Sequence, residues 1–154
     1  MALPPKVSLL DPRSREAFAK KPTANSVNIP LPELALRMGE LGRPEELVLI
    51  AGADLEAAKG TKEFLERGGR RAVIVADVEF TVQPTLGRLW RPSEWLEQHL
   101  SKLQGSSALD LGCGTGRNAA LLASLGYSVL AVDNLPSALE KTRSLVERYA
   151  NASV

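Results

Sequence analysis

The stretch Ala108-Leu109-Asp110-Leu111-Gly112-Cys113-Gly114-Thr115-Gly116-Arg117-Asn118 decides how this chain of 154 residues is read. An aliphatic run carrying one acid enters a Gly-x-Gly-x-Gly turn, and an amphipathic segment over residues 119–125 follows at once. Strand, tight loop and helix are predicted in that order. Alternate glycines let the backbone take positive φ angles and let a ligand approach the main chain, with the first-turn N–H groups of the helix facing the gap. A second strand over residues 127–132 ends on Asp133, about 20 residues beyond Asp110, the separation at which a carboxylate meets the two hydroxyls of a nucleotide ribose. The pattern is that of a nucleotide-binding half-site.

Charge narrows the nucleotide. A dinucleotide fold needs G-x-G-x-x-G to admit a pyrophosphate, whereas here the last spacing is one residue short and Arg117 stands in the place of the third glycine. A carboxylate fixed at Asp110 repels a pyrophosphate but favours a ligand bearing an ammonium and a sulfonium, and S-adenosylmethionine carries both. Residues 107–149 resemble the opening of a class I S-adenosylmethionine-dependent methyltransferase. The run from Asp110 through Ala119, with Gly126-Tyr127-Ser128-Val129-Leu130-Ala131-Val132-Asp133 behind it, is especially similar to the tellurite-resistance and thiopurine-methyltransferase-like branch. That resemblance implies S-adenosyl-L-methionine as cofactor. It also implies that Asp110 faces the methionyl ammonium, directly or through water, that Gly112, Cys113, Gly114 and Gly116 offer their backbone to the methionine and ribose, and that Asp133 takes the ribose hydroxyls. The alternative for Asp110 is a helix cap, and for Asp133 a solvated strand end. No catalytic residue is assigned, and the methyl acceptor implied is a small molecule with a soft nucleophile such as a thiol or an oxyanion.

The composition bounds what else the chain does. Hydrophobic residues make up 44% of it and the formal charge is +1, with no basic face, acidic tail or charge block. Nucleic-acid and membrane binding therefore have no electrostatic support. The single cysteine, Cys113, forbids an intrachain disulfide, and with one histidine there is no metal-ligand cluster. The N-terminal residues are too few and too proline-rich for the apolar core of a signal peptide, so the expected compartment is the cytoplasm.

The first half alternates strands and helices, which predicts a small parallel α/β layer. Strands are expected at residues 7–11, 47–50 and 71–75, and a polar, turn-forming stretch over residues 20–26 leads to Val27-Asn28-Ile29-Pro30. Leu31, Leu34, Ala35, Met38 and Leu41 recur at helical spacing, and a second amphipathic helix carries Leu55, Ala58, Phe64 and Leu65 inward until Gly68-Gly69 stops it. Residues 1–78 resemble a rhodanese-like domain through Leu9-Leu10-Asp11-Pro12-Arg13-Ser14, Phe18, Val27-Asn28-Ile29-Pro30 and the strand, loop and helix from Leu47. The resemblance implies a cysteine at the end of the central strand, but that position is about Ala51, and the usual histidine before Val27 is missing. The domain is therefore predicted to be catalytically inactive, with Asp11 and Arg13 as a turn-stabilising pair.

Residues 79–92 are expected to be a linker partly docked through Leu89 and Trp90. A helix over residues 92–103 follows, with Ser93 near its start and Trp95, Leu96 and Leu100 on one face. Trp90 and Trp95 either cover a cofactor cleft or pack that helix on a sheet. After Asp133, Asn134 is expected to cap a helix whose stripe is Leu135, Ala138, Leu139, Thr142, Leu145, Val146 and Tyr149. Residues 93–154 thus read as the N-terminal part of a methyltransferase domain with an incomplete Rossmann-like sheet. Only two strands of the implied sheet are present, so the expectation is a truncated or N-terminal portion of a longer protein, or a partner chain that completes the sheet. The competing readings are a non-catalytic rhodanese-like interaction module with a vestigial methyltransferase segment, and a sulfurtransferase using Cys113.

Overall fold

The computed structural model describes residues 3–84 and 87–149 and is a mixed α/β structure with two parallel sheets. It divides into two units, Pro5–Leu89 on one side and Met1–Pro4 with Trp90–Val154 on the other.

In the first unit, β1 (Leu9–Asp11), β2 (Ser26–Asn28), β3 (Val48–Ala51) and β4 (Ala72–Val75) form a parallel sheet in the order β2-β1-β3-β4. Helix α1 (Arg15–Lys20) is capped by the Ser14 hydroxyl, and α2 (Leu55–Arg67) by the Asp54 carboxylate, which accepts the Ala57 N–H at 3.0 Å. Leu10, Ile29, Leu34, Ile50, Ala58 and Leu65 make the centre of the core. The inward face of α2 is Ala58, Thr61 and Leu65, while Leu55 and Phe64 are exposed, against the sequence expectation. Leu55 is the first residue of the helix and Phe64 is turned about 100° from Leu65, so neither lies on the stripe that meets the sheet. The spacing over residues 31–41 does not give one helix either. It forms 3₁₀ turns at Leu31–Glu33 and Met38–Glu40, separated where Arg37 takes φ −96° and ψ 12°. Pro32 and Gly39 weaken a regular helix there, and the buried Arg37 guanidinium is held by Glu40 at 2.6 and 2.7 Å and by the Asn28 carbonyl at 3.0 Å.

Asp11, fully buried at the end of β1, pairs with Arg13 at 2.7 Å and accepts the Thr23 hydroxyl. Arg13 also donates to the Lys21 carbonyl at 2.9 Å and lies over the Phe80 ring at 5.7 Å. The segment after β4 is tied to the same corner: Ala24 N–H donates to the Glu79 carbonyl and Thr81 N–H to the Pro22 carbonyl, both at 2.8 Å. Farther on, Val7 N–H donates to the Arg88 carbonyl at 2.9 Å and Leu89 packs on the core.

The second unit is built around β5 (Ser107–Leu111) and β6 (Ser128–Val132), paired in parallel from Ser107 opposite Ser128 to Leu111 opposite Val132. Before them lies α3 (Glu94–His99), capped by Ser93, whose own N–H donates at 2.8 Å to Asn118 in α4 (Arg117–Ser124). Helix α5 (Pro136–Tyr149) completes the unit. Val129 and Ala131 on one sheet face pack against a cluster of Trp90, Ala119, Ala120, Leu145, Val146 and Tyr149. Trp90 is fully buried, with Tyr149 edge-on at 5.3 Å, whereas Trp95 is 66% exposed and stacks on His99 at 4.5 Å, so the two tryptophans do not share a face. Among the described residues of this unit nothing packs over the opposite sheet face. Leu109 is 58%, Leu111 72% and Leu130 64% exposed there. No helix among the described residues is long and apolar enough to cross a membrane.

Candidate functional site

The loop from β5 to α4 folds as the glycines dictate. Gly112, Gly114 and Gly116 have φ of +70°, +57° and +80°, angles that residues with a Cβ adopt only under strain. The N–H groups of Gly112 and Cys113 both donate to the Val132 carbonyl, at 2.8 and 3.0 Å, which seats the loop across the end of the sheet. Nothing lies within 4 Å of where a Cβ would stand at Gly112 or Gly114, so the loop presents open backbone at both positions. Gly116 differs: a Cβ there would meet Thr142 of α5 at 2.7–2.8 Å, including its Cα. The third glycine is thus demanded by the close approach of a helix, and the first two face open space.

Both carboxylates lie near this loop, Asp110 one residue before the end of β5 and Asp133 directly after β6. Asp133 accepts the Gly114 N–H through Oδ2 and the Leu135 N–H through Oδ1, each at 2.9 Å. Those N–H groups, Leu135 first and Gly114 second, hold its carboxyl below the usual carboxylate range. Asp133 rather than Asn134 therefore supplies the side chain at the start of α5, and the Leu135 carbonyl accepts the first helical N–H groups, from Ala138 and Leu139. This leaves Leu135 exposed ahead of the helix, outside the apolar stripe expected of it.

Asp110 lies on the covered face of β5. Burial raises its pKa, an effect opposed by the nearby Ala119 backbone N–H in the first turn of α4. Its Oδ2 is buried with no hydrogen-bond partner among the described residues. A partly desolvated carboxylate with one unsatisfied oxygen is an acceptor suited to a cationic donor. Among the described residues no group of His, Cys, Asp and Glu is arranged to hold a metal ion.

The Cys113 side chain is buried, with Sγ 3.5 Å from the Thr142 hydroxyl, which itself donates to the Gly114 carbonyl at 3.0 Å. Thr142, expected only as part of the stripe of this helix, is the residue whose tie to the loop the sequence does not disclose. It stands on the apolar stripe of α5, where a hydroxyl among Ala138, Leu145 and Val146 was the available signal. The structure brings Gly114, Cys113, Asp133 and Thr142 together in one hydrogen-bonded cluster, with Gly116 against Thr142. Asp110 stands apart from that cluster, on the covered face of β5.

A family model described as a methyltransferase domain matches residues 108–154, the span that opens in β5 and carries the glycine loop and Asp133. No curated protein and no solved structure matches the chain. The match supports a class I methyltransferase segment, a class whose domains generally bind S-adenosylmethionine.

Proposed function

We propose that the second unit is the cofactor side of an S-adenosylmethionine-dependent methyltransferase, with a small soft nucleophile as acceptor. The observation that carries the reading is the pairing of open glycine backbone at Gly112 and Gly114 with two nearby carboxylates of different character. Asp133, kept ionised by backbone N–H groups, is a fixed acceptor for ribose hydroxyls. Each of its oxygens takes one N–H and retains a second lone-pair direction. Asp110 offers Oδ2, unpartnered among the described residues, to the methionyl ammonium, and the cation in turn offsets the desolvation of the carboxylate. S-adenosylmethionine, when bound, supplies an electrophilic methyl on sulfur. The residues of this chain contribute by aligning it, since positioning is the main means of accelerating such an in-line displacement. Residues 1–78 are read as a rhodanese-like module without sulfur chemistry: Ala51 ends β3, and the chain's one cysteine, Cys113, is in the other unit, buried against Thr142.

Calorimetric titration with S-adenosylhomocysteine tests this. Saturable binding is expected in the unaltered chain. In Asp110→Asn it should be about 10–100-fold weaker, the equivalent of a charge-assisted hydrogen bond of about 1.5–3 kcal/mol. No binding heat from a folded sample would overturn the proposal.

A further inference from the structure

We infer that Thr142, from the middle of α5, is a positioning residue that sets the conformation of the cofactor loop through its hydroxyl. The inference rests on the proposed reading of the loop and adds to it a residue outside the glycine motif.

Gly114 is the pivot. Its φ and ψ are the torsions between two peptide groups, and each of those groups is tied to a different side chain. The preceding peptide donates its N–H to Asp133 at 2.9 Å, and the following one offers its carbonyl to the Thr142 hydroxyl at 3.0 Å. A glycine at φ +57° with open space on its Cβ side has no steric reason to remain in one conformation. The two side-chain bonds supply that reason. Since the Thr142 proton goes to Gly114, the 3.5 Å contact with Cys113 is a thiol donating to the Thr142 oxygen, which fixes the hydroxyl rotor as well. Burial strengthens the arrangement, because Thr142 and Cys113 are 6% and 8% exposed and water does not compete well for either. Gly116 then has a defined purpose: the absence of a Cβ lets the Thr142 backbone come close enough to reach Gly114. A loop held ahead of ligand binding avoids an ordering cost that a loose loop meets on association.

The test compares Thr142→Val, which keeps the shape and removes the hydroxyl, with Thr142→Ser, which keeps the hydroxyl and removes a methyl. Two measurements are made on each: affinity for S-adenosylhomocysteine by calorimetry, and amide hydrogen exchange of Gly114 by NMR. Thr142→Val is expected to bind about 3–10-fold more weakly, the loss of one buried hydrogen bond, and to exchange Gly114 faster. Thr142→Ser should restore both to near the unaltered values, which a purely packing role for Thr142 would not allow. The inference is overturned if Thr142→Val leaves Gly114 exchange unchanged, or if the serine variant folds yet behaves like the valine variant. Should the unaltered chain bind no S-adenosylhomocysteine, the methyltransferase reading fails by itself. Gly114 exchange still decides the latch: acceleration in the valine variant alone sustains it, and equal rates in all three proteins refute it.

Discussion

Replacing Gly116 and Gly112 separately by alanine distinguishes two kinds of glycine in one loop. Both have positive φ, +80° and +70°, so each alanine incurs about 1–2 kcal/mol for the left-handed backbone. At Gly112 nothing else opposes the new methyl. At Gly116 the methyl would stand 2.7–2.8 Å from Thr142 Cγ2, Cα and Oγ1, and because the Cα belongs to a packed helix the collision is not relieved by a rotamer change. Overpacking of that kind adds about 1–3 kcal/mol. Gly116→Ala should therefore destabilise the second unit by about 2–5 kcal/mol, against about 1–2 for Gly112→Ala. The chain provides its own reporter. Its two tryptophans, Trp90 and Trp95, are both in that unit, and Trp90 is fully buried against Tyr149, so urea titration followed by tryptophan fluorescence reads this unit. The binding order is reversed where the protein remains folded: Gly112→Ala puts its methyl into the open cradle and is expected to lose S-adenosylhomocysteine. Equal destabilisation by the two substitutions would refute the assignment of Gly116 to helix packing.

In the first unit, Asp11→Ala leaves the Arg13 guanidinium buried without its bidentate partner and should cost about 3–5 kcal/mol; loss of far-UV circular dichroism at lower urea, with the tryptophan transition unmoved, is the expected result. Asp110 and Asp133 should act on stability with opposite signs. The raised pKa of Asp110 means that the folded state holds its proton longer, so its contribution falls as pH rises from the unfolded value of about 3.9 through the folded one. Asp110→Asn removes that fall and should be the more stable protein at neutral pH, as read from tryptophan unfolding midpoints across pH. The lowered pKa of Asp133 gives stability that is present above the unfolded value and lost as pH falls through the folded one, so Asp133→Asn should flatten the acid side of the same profile. Finally, Leu111→Lys together with Leu130→Lys places charge on the exposed sheet face and should reduce concentration-dependent light scattering of the chain.

Much of this architecture is legible in the sequence because the signals are local. Strand, glycine turn and helix follow from residues 108–125 in order, and alternating aliphatic runs with polar helices lead to parallel sheets. Side-chain directions were harder. Phe64 and Trp95 are large and apolar and sit near helical stripes, yet both are exposed, because a stripe is defined by the surface it meets and not by its own spacing. The 3₁₀ turns around Arg37 escaped for a related reason. Their geometry answers to a guanidinium that reaches the Asn28 carbonyl and Glu40, partners that no window of apolar periodicity contains.

The site shows a further limit of motif reading. A motif names the residues that share a loop, but each of those residues also has work to do in the fold before any ligand arrives. Asp133 holds Gly114 and the residue ahead of α5. Gly116 makes room for Thr142. What separates ligand-facing from fold-facing atoms is the remaining capacity of each. Among the described residues Asp110 Oδ2 is buried with no partner, an arrangement that the fold alone has no use for and that raises the energy of the charged form. Gly112 and Gly114 keep open space beside strained backbone. Local structure that is unfavourable for the fold and complementary to one kind of ligand is where sequence-level consistency is expected to break. By that criterion Asp110 Oδ2 and the backbone at Gly112 and Gly114 keep capacity that the fold does not use, whereas Gly116 and Cys113 are packed against Thr142.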